Sequence, residues 1–144
     1  MSQKFAVFDI DGTIFRSSLF LEMTYRAIKA GIIAESFDNE ISEVRDAWLK
    51  RKDSEAYDTY ITEAVASFRR HIVGVRVEDI QQIAKQTVTE FHEHTYVFTR
   101  DLMLDLKSKG FFTIAITGSP EEIDHEFTKH YGFDYVKSTN MMGE

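Results

Sequence analysis

The stretch Phe5-Ala6-Val7-Phe8-Asp9-Ile10-Asp11-Gly12-Thr13 decides how this chain is read. Its first four residues form an apolar run with aromatic and branched side chains, closed off by acidic residues and a glycine. That composition predicts a buried strand. Two carboxylates, Asp9 and Asp11, follow at a spacing of two, and in an extended chain such neighbours point the same way. Holding them together costs repulsion unless a cation or a proton compensates. Gly12 permits a sharp turn immediately afterwards. Asp-Gly is also ordinary turn chemistry. By spacing alone, a divalent-cation site and a plain turn weigh about equally.

A second apolar run, Phe111-Phe112-Thr113-Ile114-Ala115-Ile116, lies between Gly110 and Thr117-Gly118 and predicts another buried strand. A weaker third candidate covers residues 133–136. The intervening chain has helical periodicity. Phe37, Ile41, Val44 and Trp48 recur at that spacing, as do Tyr57, Ile61, Val65, Phe68 and Ile72. Ile80, Ile83, Ala84, Val88 and Phe91 make a third face, and Leu102 with Leu106 a fourth. Gly31, Gly74, Gly110 and Gly132 stand where these patterns stop, as helix-closing glycines do. Alternation of strand and helix at both ends predicts an α/β fold: a three-layer Rossmann-like core with a parallel sheet. The long helical middle predicts an inserted helical subdomain over residues 17–94, with residues 1–16 and 95–144 forming the core.

Bulk properties narrow the function classes. The formal net charge is -7 with no basic run, which argues against nucleic-acid binding, because neutralising phosphates needs a Lys/Arg surface. No apolar stretch approaches the ~20 residues of a membrane span, and no signal-peptide pattern opens the chain. There is no cysteine, so thiolate metal sites and disulfides are unavailable. The default expectation is a cytoplasmic protein.

The first motif resembles that of the haloacid dehalogenase superfamily, an apolar strand followed by DxDGT. The segment Ile114-Ala115-Ile116-Thr117-Gly118-Ser119-Pro120 is similar to the family's second motif, an apolar strand ending in Thr or Ser. The resemblance implies that Asp9 is a nucleophile forming an aspartyl-phosphate and that Asp11 is general acid and base. It also implies Mg²⁺ held by the Asp9 side chain and the Asp11 backbone carbonyl, and Thr117 in the phosphate-binding position. Magnesium suits an oxygen-donor pair that shares coordination with phosphate. Ser119, Pro120 and Glu122 have the pattern of a helix start, with serine at the cap. Such a start offers N–H groups to an anion, so the Thr117 hydroxyl and the Gly118 amide are the expected phosphoryl-binding groups. Ser119 is expected only to cap the helix.

The helical insertion after the first motif is similar to the phosphoserine-phosphatase-like branch, in which a cap closes over the site. That branch implies a Glu shortly after the motif that reads the substrate's amino group. Ser18 stands near that place here, with Glu22 nearby. Phosphomonoesters other than phosphoserine therefore stay open. The family's third motif, a Lys, and its fourth, an acidic pair, are not expected among these residues. Lys137 lies twenty residues beyond Thr117, which is early for the third motif, and it reads as a solvent-facing lysine. The chain is accordingly expected to be a truncated front portion of the family's domain. His92-Glu93-His94 looks metal-like, yet neighbours two apart do not share a helix face, and surface histidines are expected. The functional expectation is Mg²⁺-dependent hydrolysis of a small-molecule phosphate ester. The alternatives are a phosphotransferase with the same phosphoenzyme, or a catalytically incomplete fragment acting as a binding module.

Overall fold

A computed structural model describes residues 2–141. Residues 142–144, part of the expected core segment, lie outside the described residues, as does Met1. The element order is β1 (Phe5–Asp9), α1 (Leu19–Lys29), α2 (Ser36–Leu49), α3 (Ala56–His71), α4 (Val77–Phe91), α5 (Val97–Ser108), β2 (Phe112–Pro120), α6 (Glu121–Tyr131) and β3 (Tyr135–Thr139). The strands form one parallel sheet in the order β1-β2-β3. The α/β expectation with a parallel sheet is met.

Burial alternates along β1, as the pleat of a half-buried strand demands. Ala6 and Phe8 are buried, whereas Phe5 and Val7 are exposed at 59% and 56%. β2 continues the same two faces. Thr113, Ala115 and Thr117 are buried, and Phe112 and Ile116 are exposed. The buried face packs into the core with Phe15, Met103, Ile123 and Phe127. Phe15 and Phe127 meet edge-on with ring centroids 5.6 Å apart, a geometry that adds about 0.5–1.5 kcal/mol to their burial. The opposite face carries Phe5, Val7, Ile116 and Tyr135 in the open.

The two ends of the long helical middle come together. Arg16 donates its amide to the His94 carbonyl at 2.9 Å, and Tyr96 donates to the Ile14 carbonyl at 2.9 Å. Phe15 and Thr95 form an antiparallel bridge between these two strands of linker. Within the excursion, α2 and α3 pack on each other, with Trp48 stacked on Tyr60 at 5.1 Å. α1 joins α3 through the Phe20–Phe68 contact at 5.2 Å. α4 packs on both α1 and α6.

Two boundaries differ from the sequence reading. β2 runs four residues further, to Pro120, with a register irregularity after Ile116. β3 begins at Tyr135 rather than Phe133. Gly132 closes α6 with φ 73, a left-handed turn that glycine adopts without a Cβ clash. The buried face of α3 is broader than expected: Ala56, Tyr60, Ala64, Ser67 and Phe68 are buried, Ile61 and Val65 pack partly buried beside them, and Tyr57 is 40% exposed.

Candidate active site

Asp9 ends β1 and pairs in register with Ile116 on β2. Thr117 is therefore one residue beyond Asp9's partner, on a strand about 4.8 Å away. The chain then turns at Gly12, whose φ is +77. The Ile10 carbonyl accepts the amides of Thr13, Ile14 and Phe15 at 3.0–3.1 Å. This turn carries the Asp11 carboxylate to the start of α1. Asp11 Oδ1 accepts the Leu19 amide at 3.1 Å, and Oδ2 accepts the hydroxyls of Ser119 at 2.6 Å and Ser18 at 3.5 Å. Ser18 caps α1, its hydroxyl accepting the Leu21 amide at 3.3 Å.

The two carboxylates thus differ sharply. Asp9 is exposed, with Oδ1 accepting the Ile10 amide at 2.8 Å. Asp11 is half-buried, and desolvation pushes its carboxyl above the usual carboxylate range. The Ser119 and Leu19 hydrogen bonds oppose that rise, and the nearby Asp9 charge adds to it.

Both carboxylates open onto a cavity of about 500 Å³, whose floor also includes Ser18, Gly118 and Ser119. Phe20 on α1 and Tyr57, Asp58, Ile61 and Thr62 on α3 make the opposite wall. No Lys, Arg or His lines it among the described residues.

Thr117 sits behind this floor. Its hydroxyl donates to Asp124 Oδ1 at 3.3 Å and accepts the Ser119 amide at 3.1 Å. Asp124, on α6, is fully buried, and its Oδ2 has no hydrogen-bond partner among the described residues. Burial pushes its carboxyl up to about 8, and the negative charge of Asp11 pushes the same way.

The structure therefore gathers Asp9, Asp11 and Gly118 around one cavity and keeps Thr117 at its back. Ser119 is not a helix cap: α6 starts at Glu121 after Pro120, with no side-chain cap. Its hydroxyl binds Asp11 instead, because the longer β2 carries it past the expected strand end. Thr117 and Ser119 share the period-two phase of a strand, and that phase was the available signal. The cavity wall from α3 and the buried Asp124 had no such signal, since each depends on how α3 and α6 pack. His92, read as a surface residue, is part-buried and meets His130 in a tilted contact with ring centroids 4.2 Å apart. Lys137 is exposed on β3, as expected. Glu22 accepts the Ser17 hydroxyl at 3.3 Å and is not part of the cavity lining.

Among the described residues no group of three or more His, Cys, Asp or Glu forms a metal cluster. Asp9 and Asp11 provide oxygen donors alone, the donor type that Mg²⁺ takes while keeping waters and phosphate oxygens for its remaining positions. The residues present fit that ion as a partial coordination shell. No helix among the described residues is long and apolar enough to cross a membrane.

A family model described as haloacid dehalogenase-like hydrolase matches residues 6–144. No curated protein matches the chain significantly. Among solved structures, a protein of unknown function from Bordetella pertussis Tohama I superposes with a TM-score of 0.70 at 10% identity. The superposition covers 97% of this chain and 61% of that one. A phospho-aspartyl intermediate analogue of phosphoserine phosphatase gives a TM-score of 0.51 at 13% identity, covering 97% of this chain and 57% of that one. A phosphoserine phosphatase in apo form gives 0.50 at 12% identity, with coverages of 99% and 57%. At such identities these likenesses show a shared fold. The chain spans about three-fifths of the length of the structures it matches.

Proposed function

Because the chain belongs to the haloacid dehalogenase-like hydrolase family, we propose that it provides the nucleophile and cap of a Mg²⁺-dependent phosphatase acting on a small phosphomonoester. The observation that carries this reading is the unequal carboxylate pair at the tip of β1. An exposed Asp9 is suited to attack, and a half-buried Asp11, whose carboxyl desolvation pushes above the usual carboxylate range, is suited to hold a proton.

Asp9 attacks phosphorus, forming an Oδ–P bond as the ester P–O bond breaks. Asp11 gives its proton to the leaving alkoxide. Asp11 then takes a proton from water as that water attacks the aspartyl-phosphate, releasing inorganic phosphate and restoring Asp9. Splitting one displacement into two lowers each barrier. Asp9 and the Asp11 carbonyl would hold Mg²⁺, which when bound neutralises charge on the phosphoryl group. The Gly118 amide binds one phosphoryl oxygen, and the Thr117 hydroxyl, whose proton points to Asp124 in this structure, binds a second once that proton is freed. The leaving alcohol lies against Phe20, Tyr57 and Ile61.

In this reading residues 17–94 are a cap on a core of residues 1–16 and 95–144, supported by the paired linkers at Arg16 and His94. The cap limits water at the site and shapes the pocket for the alcohol. The cysteine-free composition is in keeping with the cytoplasm. Two solved neighbours are phosphoserine phosphatases by description. Here Ser18 binds Asp11 and caps α1, so phosphoserine is one candidate within a panel of small phosphate esters.

The test is hydrolysis of p-nitrophenyl phosphate with Mg²⁺. We expect turnover that EDTA abolishes and that Asp9→Asn lowers by at least about 10³-fold, of the size seen when a nucleophile is removed. Full activity in Asp9→Asn, or equal activity without divalent metal, contradicts the reading.

A further inference from the structure

Asp124 is a buried carboxyl that the phosphatase chemistry above does not use. It is fully enclosed on α6, directly behind the strand tip that carries Thr117, Gly118 and Ser119. One oxygen accepts the Thr117 hydroxyl at 3.3 Å, and the other has no partner among the described residues. An ionised carboxylate offers about four acceptor sites and no donor. Leaving half of them unmet in the interior costs heavily, whereas a neutral acid loses far less.

The Thr117 hydroxyl has one proton and two lone pairs. One lone pair accepts the Ser119 amide at 3.1 Å. If Asp124 is ionised, the hydroxyl's only proton is committed to it. If Asp124 is neutral, its own O–H fills the second lone pair, and the Thr117 proton is released to another acceptor. The same Ser119 reaches Asp11 at 2.6 Å through its hydroxyl, so the arrangement also ties the strand tip to the reacting loop.

We propose that Asp124 is a positioning residue which, as the neutral acid, donates to Thr117 Oγ1 and so turns the Thr117 hydroxyl proton towards the phosphoryl group. This rests on the reading of Thr117 as a phosphate ligand. The charged groups acting on Asp124 are Asp9 at the end of β1, Asp11 just after it and Glu122 on its own helix, and all three disfavour its ionisation. Burial is the larger cause, and together they push the carboxyl up to about 8. The site is then competent at neutral pH and fails above it.

The test measures binding of inorganic phosphate with Mg²⁺ by calorimetry at pH 7 and pH 9, for the wild type and Asp124→Asn. The amide keeps a donor to Thr117 but does not titrate. Phosphate's own ionisation cancels in the ratio of the two affinities. The affinity of Asp124→Asn relative to wild type is expected to rise about tenfold from pH 7 to pH 9, as the competent fraction of wild type falls. With Thr117→Val in both proteins, that rise is expected to vanish. A flat ratio with Thr117 present, the same rise without it, or no phosphate binding by any of them overturns the proposal. Phosphate binding with the expected ratio but no ester hydrolysis overturns the phosphatase reading and leaves this one standing. A carbon-13 NMR titration of the Asp124 carboxyl in wild type needs no variant: neutrality at pH 7 is expected, and a carboxyl already ionised at pH 5 overturns the proposal.

Discussion

Ser119 Oγ donates to Asp11 Oδ2 at 2.6 Å, joining the tip of β2 to the loop after β1 across 108 positions of sequence. This bond opposes the rise that burial imposes on the Asp11 carboxyl. Ser119→Ala removes it, so Asp11 holds its proton to higher pH. The alkaline limb of the pH profile of kcat is expected to move upward. Folding stability is expected to drop by about 1–2 kcal/mol, as read by urea denaturation. An unmoved limb sinks the assignment of Asp11 as the proton donor.

The buried Asp124 also makes stability depend on pH. Its carboxyl is held at about 8 in the fold against 3.8 ordinarily. Between those values the folded chain binds a proton that the unfolded chain has lost, so stability falls as pH rises through the window. Asp124→Asn escapes this. Its advantage over wild type is expected to grow by a few kcal/mol from pH 5 to pH 8 and to level off above. Denaturation curves with the same gap at both pH values contradict the burial argument.

Asp134 behaves in the opposite sense. The Thr113 amide, the Lys107 ammonium and the Thr113 hydroxyl hold its carboxyl down to about 2. The stability it contributes is present above pH 4 and lost as pH falls through 2. Asp134→Asn is expected to cost about 1–2 kcal/mol at pH 7, discounted for partial exposure, and progressively less as pH falls through 2. A cost that does not change with pH contradicts the assignment.

The cavity wall on α3 gives a prediction about substrate size. Ile61→Trp adds an indole to a space of about 500 Å³. KM for p-nitrophenyl phosphate is expected to rise about tenfold, or roughly 1.4 kcal/mol, while inhibition by inorganic phosphate changes little. Equal loss for both ligands contradicts placing the alcohol against α3.

The strands and the carboxylate pair were legible because they rest on local rules. The apolar run before Asp9 and the period of two along β2 act over a few residues. The helical faces of α2 and α4 were legible for the same reason. The role of Ser119 was not, because the sequence pattern Ser-Pro-Glu-Glu gives a helix start on local grounds. The actual partner, Asp11, is brought in only by strand pairing. Tyr57 was read as a core position on helical spacing, and the packing of α3 turned it to the cavity wall. Asp124 in a helix's first turns reads as a dipole-favoured surface acid. Only the contact of α6 with the sheet buries it.

Reduction with borohydride during turnover of a phosphate ester tests the central claim most directly, because it converts an aspartyl-phosphate to homoserine. Peptide mass spectrometry is expected to find homoserine in place of Asp9, dependent on substrate and Mg²⁺ and absent when either is omitted. Sustained hydrolysis with Asp9 intact and no homoserine in the chain would contradict the account.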